Sequence, residues 1–220
     1  MLRVAIDGPG GTGKSTIAKA VAERLGLEYI DTGAMYRSIA LKSIRKGVDA
    51  EDEPAVVDML SDTVIDFNDN KVYLDGEDVS GIIRTNEISM AASTISKLGP
   101  VRAKVDEVSR RLASTKNVVM EGRDIGTAVI PDAEVKLFMT ADSSVRAMRR
   151  YKQLLEQGKP ADLDEIKEDI EKRDYQDSHR EINPLKQADD AVFMDTSDMS
   201  IEENIDAVCE LIANKTGRDV

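Results

Sequence analysis

The first fifteen positions narrow the fold of this chain more than any later stretch. Leu2-Arg3-Val4-Ala5-Ile6 is a short apolar run of the kind that forms a buried parallel strand. It leads into Gly8-Pro9-Gly10-Gly11-Thr12-Gly13-Lys14-Ser15, which fits G-x-x-x-x-G-K-[ST], and Thr16 follows. Beyond it Ile17, Val21 and Leu25 recur every fourth residue with Ala18 and Ala22 beside them, one face of a helix that Gly26 would stop. A glycine-rich turn between a strand and a helix lets successive N–H groups point inward at phosphate oxygens, and the helix start adds its positive end. By composition alone such a match arises on the order of once in a hundred chains, and here the flanking elements it needs are both present. Gly8 to Thr16 are the expected triphosphate site. Lys14 would reach the β- and γ-phosphates and Ser15 would meet Mg²⁺.

The rest of the chain continues in strand–helix alternation. Leu27 to Ile30 reads as a second strand, followed by a helix from about Asp31 to Lys46. The texture then changes. Val64-Ile65-Asp66-Phe67 and Lys71-Val72-Tyr73-Leu74 flank Asn68-Asp69-Asn70, the pattern of a hairpin, and Asp75-Gly76 marks a further turn. Strand candidates resume at 117–121, 134–140 and 190–195, with a helix from about Asp142. Ser200 and Glu203 form a capping box for a last helix bearing Ile201, Ile205, Val208 and Ile212. Cys209 lies in that helix as a packing residue. The expected architecture is α/β, a P-loop NTPase-type parallel sheet flanked by helices. A core of 1–60 and 101–220 would carry an inserted, strand-containing subdomain at 61–100.

Charge limits the partners. The chain carries 42 Asp and Glu against 30 Lys and Arg, a net −12, which disfavours a nucleic-acid polymer. Residues 47–80 hold eleven acids against the single Lys71. Basic residues gather elsewhere, at Arg146, Arg149, Arg150 and Lys152 and at Lys172, Arg173 and Arg180, as clamps for a small anion or as solvated helix faces. No apolar run approaches the ~20 residues that span a bilayer, and no signal peptide is visible, so the expected location is cytoplasmic. One cysteine suits a reducing compartment.

A guanine-reading N-K-x-D is absent. Its nearest match, Asn214-Lys215-Thr216-Gly217, has the wrong fourth residue and lies at the chain's end. That argues against a GTP switch and toward a small kinase. If the acceptor is itself a phosphate, its dianion is already nucleophilic. Positive groups are then needed, and a general base is not. His179, the only histidine, has no evident catalytic partner in the sequence.

Three further blocks narrow the acceptor: "DTGAMYR" at 31–37, "GRDIGT" at 122–127 and "RDYQDSHREINPL" at 173–185. Together with the phosphate loop they resemble the bacterial cytidylate kinases, P-loop nucleoside monophosphate kinases. The stretch 74–93 is similar to that family's CMP-binding insert. The resemblance covers nearly the whole chain. It implies ATP-dependent phosphorylation of CMP and dCMP, with Mg²⁺, by in-line transfer, in a monomer with a helical lid at about 146–165. UMP would be a poor acceptor, and CMP would dock between the core and the insert. Carried over by position, Thr32, Arg37, Arg123 and Arg180 would hold the acceptor phosphate. Ser93, Arg102 and Asp124 would read the cytosine edge, and Arg173 and Asp177 would hold the ribose. Lys14, Arg123, Arg180 and the lid residues Arg146 and Arg150 would screen charge during transfer. An Asp accepting from the cytosine amino group and an Arg fork on a phosphate are both chemically apt. Two positions depart from the family pattern. Glu121 ends its strand where the family carries Asp, so it would hold Mg²⁺ through water. Gln176 stands where related enzymes carry a basic residue. Another P-loop kinase, on UMP/CMP, AMP or a non-nucleotide acceptor, and a nucleotide-binding regulatory module without turnover are the alternatives.

Overall fold

A computed structural model describes residues 1–218. The chain forms two compact units, one of Met1 and Glu28–Val118, the other of Leu2–Leu27 and the described residues from Val119 onward. In the second unit β6 (Val118–Gly122), β1 (Arg3–Asp7), β7 (Val135–Thr140) and β8 (Val192–Asp195) lie in that order in one sheet, and in the first β3 (Ile65–Asn68), β4 (Lys71–Leu74) and β5 (Glu77–Asp78) form an antiparallel sheet.

The phosphate-loop unit is built on β1 (Arg3–Asp7) and β7 (Val135–Thr140), which pair in parallel from Val4 opposite Val135 to Asp7 opposite Phe138. Both are central and largely buried, which is why they read as continuous apolar runs rather than alternating ones. β8 (Val192–Asp195) pairs in parallel with β7 as the edge strand. β6 (Val118–Gly122) is buried along its length and passes into a one-turn π-helix at Ile125–Val129. The helices are α1 (Lys14–Leu25), α6 (Ser143–Glu156), α7 (Leu163–His179) and α8 (Ile201–Thr216). Gly26 ends α1 in the left-handed conformation, and Ser200 with Glu203 closes a complete capping box on α8. Cys209 is buried. Arg24 on α1 pairs with Glu202 and Asp206 on α8. α7 fully buries none of its residues; Leu163, Ile166 and Ile170 are half-buried on one face, and Asp174 and Asp177 form ion pairs with Arg146 and Arg123.

The other unit contains β2 (Glu28–Asp31), α2 (Thr32–Lys46), α3 (Glu53–Leu60), β3 (Ile65–Asn68), β4 (Lys71–Leu74), β5 (Glu77–Asp78), α4 (Asn86–Ile95) and α5 (Gly99–Thr115). In the β3–β4 hairpin Ile65, Phe67, Val72 and Leu74 point inward while Asp66, Asn68 and Lys71 are exposed. Asp69 and Asn70 turn it with φ of 52° and 59°, the left-handed pair that a two-residue hairpin turn demands. Helices α3, α4 and α5 were not legible in the sequence. Asp52 and Thr85 cap α3 and α4, but α5 starts after Leu98 with no side-chain cap. Among the described residues no helix is long and apolar enough to cross a membrane.

One close approach fixes the exit from β1. Gly8 has φ of +147°, and a Cβ there would lie 1.9 Å from the Met139 carbonyl oxygen on β7. A side chain at this position would have to push two central strands apart. Gly8→Ala is therefore expected to cost about 3 kcal/mol or more in urea unfolding. A loss under about 1 kcal/mol would show that the strand exit is not so constrained.

Candidate active site

The phosphate loop closes on itself. Gly11 and Gly13 have φ of 79° and 96°, and Gly13 caps α1 without any side-chain acceptor, leaving the first N–H groups of the helix for an external anion. Thr12 Oγ1 donates to the Pro9 carbonyl at 3.3 Å. Lys14 Nζ is buried and donates to the same carbonyl at 2.6 Å. Burial above all, and then the charge of Arg123, push the Lys14 amine down to about 7, against the opposing pull of Glu121, Asp7 and Asp177. Ser15 and Thr16 are exposed on the first turn of α1.

Three arginines surround this loop. Arg146 on α6 is 5% exposed and donates to the carbonyls of Ala141 (2.8 Å) and Gly10 (3.1 Å) and to the Asp174 carboxylate (2.6 Å) on α7. Its methylenes lie where a side chain at Gly11 would project. Arg149 donates to the Thr12 carbonyl (3.4 Å) and to the Thr196 carbonyl (2.6 Å), while Thr196 Oγ1 donates to the Thr12 carbonyl at 3.0 Å. Arg123 comes from the loop after β6. Its Nη2 is 3.5 Å from where a Cβ on Gly10 would be, and its Nε donates to Asp177 at 2.8 Å. Next to it, Asp124 is ion-paired with Arg180, Nη2 to Oδ1 at 3.1 Å, an approach whose angle lies outside hydrogen-bond geometry. Arg180 Nε is held by the Asn183 carbonyl at 2.6 Å.

The tertiary structure thus gathers Lys14, Arg123, Asp124, Arg146, Asp177 and Arg180 from four separate stretches of sequence, with the buried Glu121 acting on the Lys14 charge. Arg150 and Arg173 are exposed, and Arg150 donates to Gln153 on its own helix. His179 is exposed and stacks on Tyr175. In the other unit Asp31 caps α2 through the Ala34 N–H and accepts from Arg37 Nη2 at 2.6 Å. Thr32 is the buried first residue of that helix. Arg102 is buried on α5 with its guanidinium over the Tyr36 ring, 5.9 Å from the centroid, and Ser93 is exposed on α4.

Asp7, Asp174 and Thr196 are site neighbours that sequence reasoning missed, and Arg149 was legible there only as a member of a basic cluster. Asp7 had a visible signal, a carboxylate ending a buried strand directly before the loop. The others depend on contacts between elements remote in sequence. Asp7 is buried and accepts from the N–H groups of Ile125 (2.8 Å) and Gly126 (2.7 Å). Burial lifts its carboxyl to about 6; the Asp124 charge adds to this, while the two N–H bonds and Lys14 oppose it.

Among the described residues no three His, Cys, Asp or Glu side chains group as a metal cage. Mg²⁺ needs no such cage, because it keeps several waters and binds mainly through substrate phosphates.

The family model described as cytidylate kinase matches residues 4–214. The cytidylate kinase of Lactobacillus johnsonii is 48% identical over 219 residues, covering 98% of this chain and 95% of that protein. The cytidylate kinase of Caldanaerobacter subterraneus is 45% identical over 219 residues, covering 100% and 98%. Among solved structures, shikimate kinase from Bacteroides thetaiotaomicron aligns with a TM-score of 0.50 at 13% identity, covering 96% of this chain and 98% of that one. At that identity the likeness shows a shared fold alone. Matched along almost its whole length by the family model and by relatives at nearly half identity, the chain belongs to the cytidylate kinase family.

Proposed function

We propose that this chain transfers the γ-phosphoryl group of ATP to CMP, and to dCMP as a second acceptor, as a cytoplasmic monomer. The observation that carries the reading is the position of Arg123. It lies against Gly10 of the phosphate loop and acts on the Lys14 charge, yet belongs to the same loop as Asp124. One short segment therefore serves both the transferring phosphoryl and the acceptor base.

In this reading Gly8 to Thr16 wrap the triphosphate, and Lys14 exchanges the Pro9 carbonyl for a phosphate oxygen. Mg²⁺, held by Ser15 and through water by Glu121, would neutralise charge on the phosphate oxygens. Thr32, Arg37, Arg123 and Arg180 position the CMP phosphate, whose oxygen attacks in line without a general base. Asp124 accepts from the cytosine N4 amino group, with Ser93 and Arg102 on the remaining base edge and Arg173 and Asp177 on the ribose. The residues 61–100 supply the acceptor-binding insert, and 146–165 act as a lid that excludes water. Arg146 already stands on a loop carbonyl, whereas Arg150 would reach the phosphoryl only on closure.

Initial rates with ATP and, in turn, CMP, dCMP, UMP, AMP, GMP and shikimate test the assignment. Turnover is expected with CMP and dCMP and weakly with UMP. Fast turnover confined to AMP or shikimate would overturn it. Asp124→Ala should lower kcat/KM for CMP by up to about 10⁴ while ATP affinity stays near the parent value, because it leaves the base edge unpaired. Unchanged CMP kinetics would remove Asp124 from the base site.

The Lys14 amine gives a prediction with a defined sign. Its pKa near 7 in the free chain leaves much of it neutral at about pH 8.5, where the phosphates of ATP are already fully ionised. A triphosphate against Nζ raises that pKa, so ATP binding takes up a proton between the free and bound values. Calorimetry in two buffers of different ionisation enthalpy should register uptake of a large fraction of a proton, and Lys14→Met should abolish it. Absence of uptake in the parent chain would separate Lys14 from the bound phosphates.

A further inference from the structure

The carboxylate that ends β1 is the only side chain in the described hydrogen bonds that accepts from both Ile125 and Gly126, the residues that follow Arg123 and Asp124. It does so from the position directly before Gly8. Donor loop and acceptor loop therefore diverge from one buried group. The contact is also enforced from the acceptor side. A Cβ on Gly126 would lie 3.4 Å from Asp7 Oδ2 and 3.1 Å from Cδ of Lys136, so a side chain there would press the Lys136 stem back by a few tenths of an ångström beside the contact. Lys136 is itself pinned by Asp190 at 2.8 Å, which limits how far it can give way.

We propose that Asp7 is a positioning residue for acceptor recognition: by holding the Ile125 and Gly126 N–H groups it sets the direction in which Asp124 and Arg123 leave the loop. This rests on the CMP kinase reading above. Asp7 touches neither substrate in this account and acts through the two residues before its partners. A carboxylate is required because both oxygens must accept at once. An amide of the same shape offers one acceptor and turns a donor toward the other N–H. The lift of its carboxyl to about 6 by burial fits a group retained for geometry against the cost of desolvation.

The test compares Asp7→Asn with the parent chain in three measurements. The KM for CMP should rise roughly ten- to hundredfold, the loss expected for one charge-assisted hydrogen bond turned unfavourable. The Kd for ATP, measured without acceptor, should rise by a clearly smaller factor than the KM for CMP, since the donor loop keeps its own hydrogen bonds and loses only the lesser pull of Asp7 on Lys14. The preference for CMP over UMP should fall. Adding Asp124→Ala to Asp7→Asn should then cost far less than the two separate losses combined, because the first acts through the second. Gly126→Ala approaches the same contact from the other side and should show the same split between CMP and ATP. In the parent chain the Ile125 and Gly126 amide protons should exchange slowly with solvent, a measurement that needs no folded variant.

Parallel losses of ATP and CMP binding, additive losses in the double variant, an unchanged CMP/UMP preference in Asp7→Asn, or rapid exchange of either amide would each overturn the assignment. These outcomes differ from failure of the underlying reading. There the parent chain itself would not turn over CMP, and both would fall together.

Discussion

The phosphate-loop unit has to hold several positive charges close together within an acidic chain, with their own repulsion working against it. Burial above all, and then the charge of Arg123, depress the Lys14 amine. The fold answers by giving each cation a protein oxygen. Lys14 rests on the Pro9 carbonyl, Arg146 on those of Gly10 and Ala141 and on Asp174, Arg123 on Asp177, and Arg180 faces Asp124. Burying a charge is costly unless it is paired and hydrogen-bonded, so these partners are a condition of the site's existence. They are also oxygens, the same atoms a phosphate would present.

That arrangement makes the site ready for an anion without collapsing in its absence. In the proposed reaction, substrate phosphates would take the places these protein oxygens now hold. The packing of α6 and α7 follows the same logic. α7 fully buries no side chain, and its polar ties to α6 include the Arg146–Asp174 pair and the Ser143–Glu171 hydrogen bond. An arm held by ion pairs at its base can change partners at lower cost than one held by an apolar core.

Much of the fold was legible because its signals are local. The strand–loop–helix at the start, Gly26 and the Ser200–Glu203 box as helix boundaries, and the Asn68-Asp69-Asn70 hairpin all reflect steric or hydrogen-bonding preferences within a few residues. The helices α3 to α5 were less readable. α3 lies within the acid-rich stretch, and α5 begins without a side-chain cap, so Pro100 in its first turn is the one local mark of its start. Arg146 reads as a lid residue in sequence. In the structure its guanidinium is buried against loop carbonyls, a placement set by the packing of α6 beside the phosphate loop.

The sequence by itself determined the triphosphate loop, the α/β alternation and the family, because glycine spacing, apolar periodicity and residue blocks are written in the order of the chain. Only the tertiary structure decided that Arg123 lies beside Gly10, that Asp174 holds Arg146, and that Asp7 carries the loop of Asp124. Each joins residues more than twenty positions apart. A carboxylate's partner depends on which backbone N–H or guanidinium the packed strands and helices bring within about 3 Å of it, and no local pattern encodes that distance.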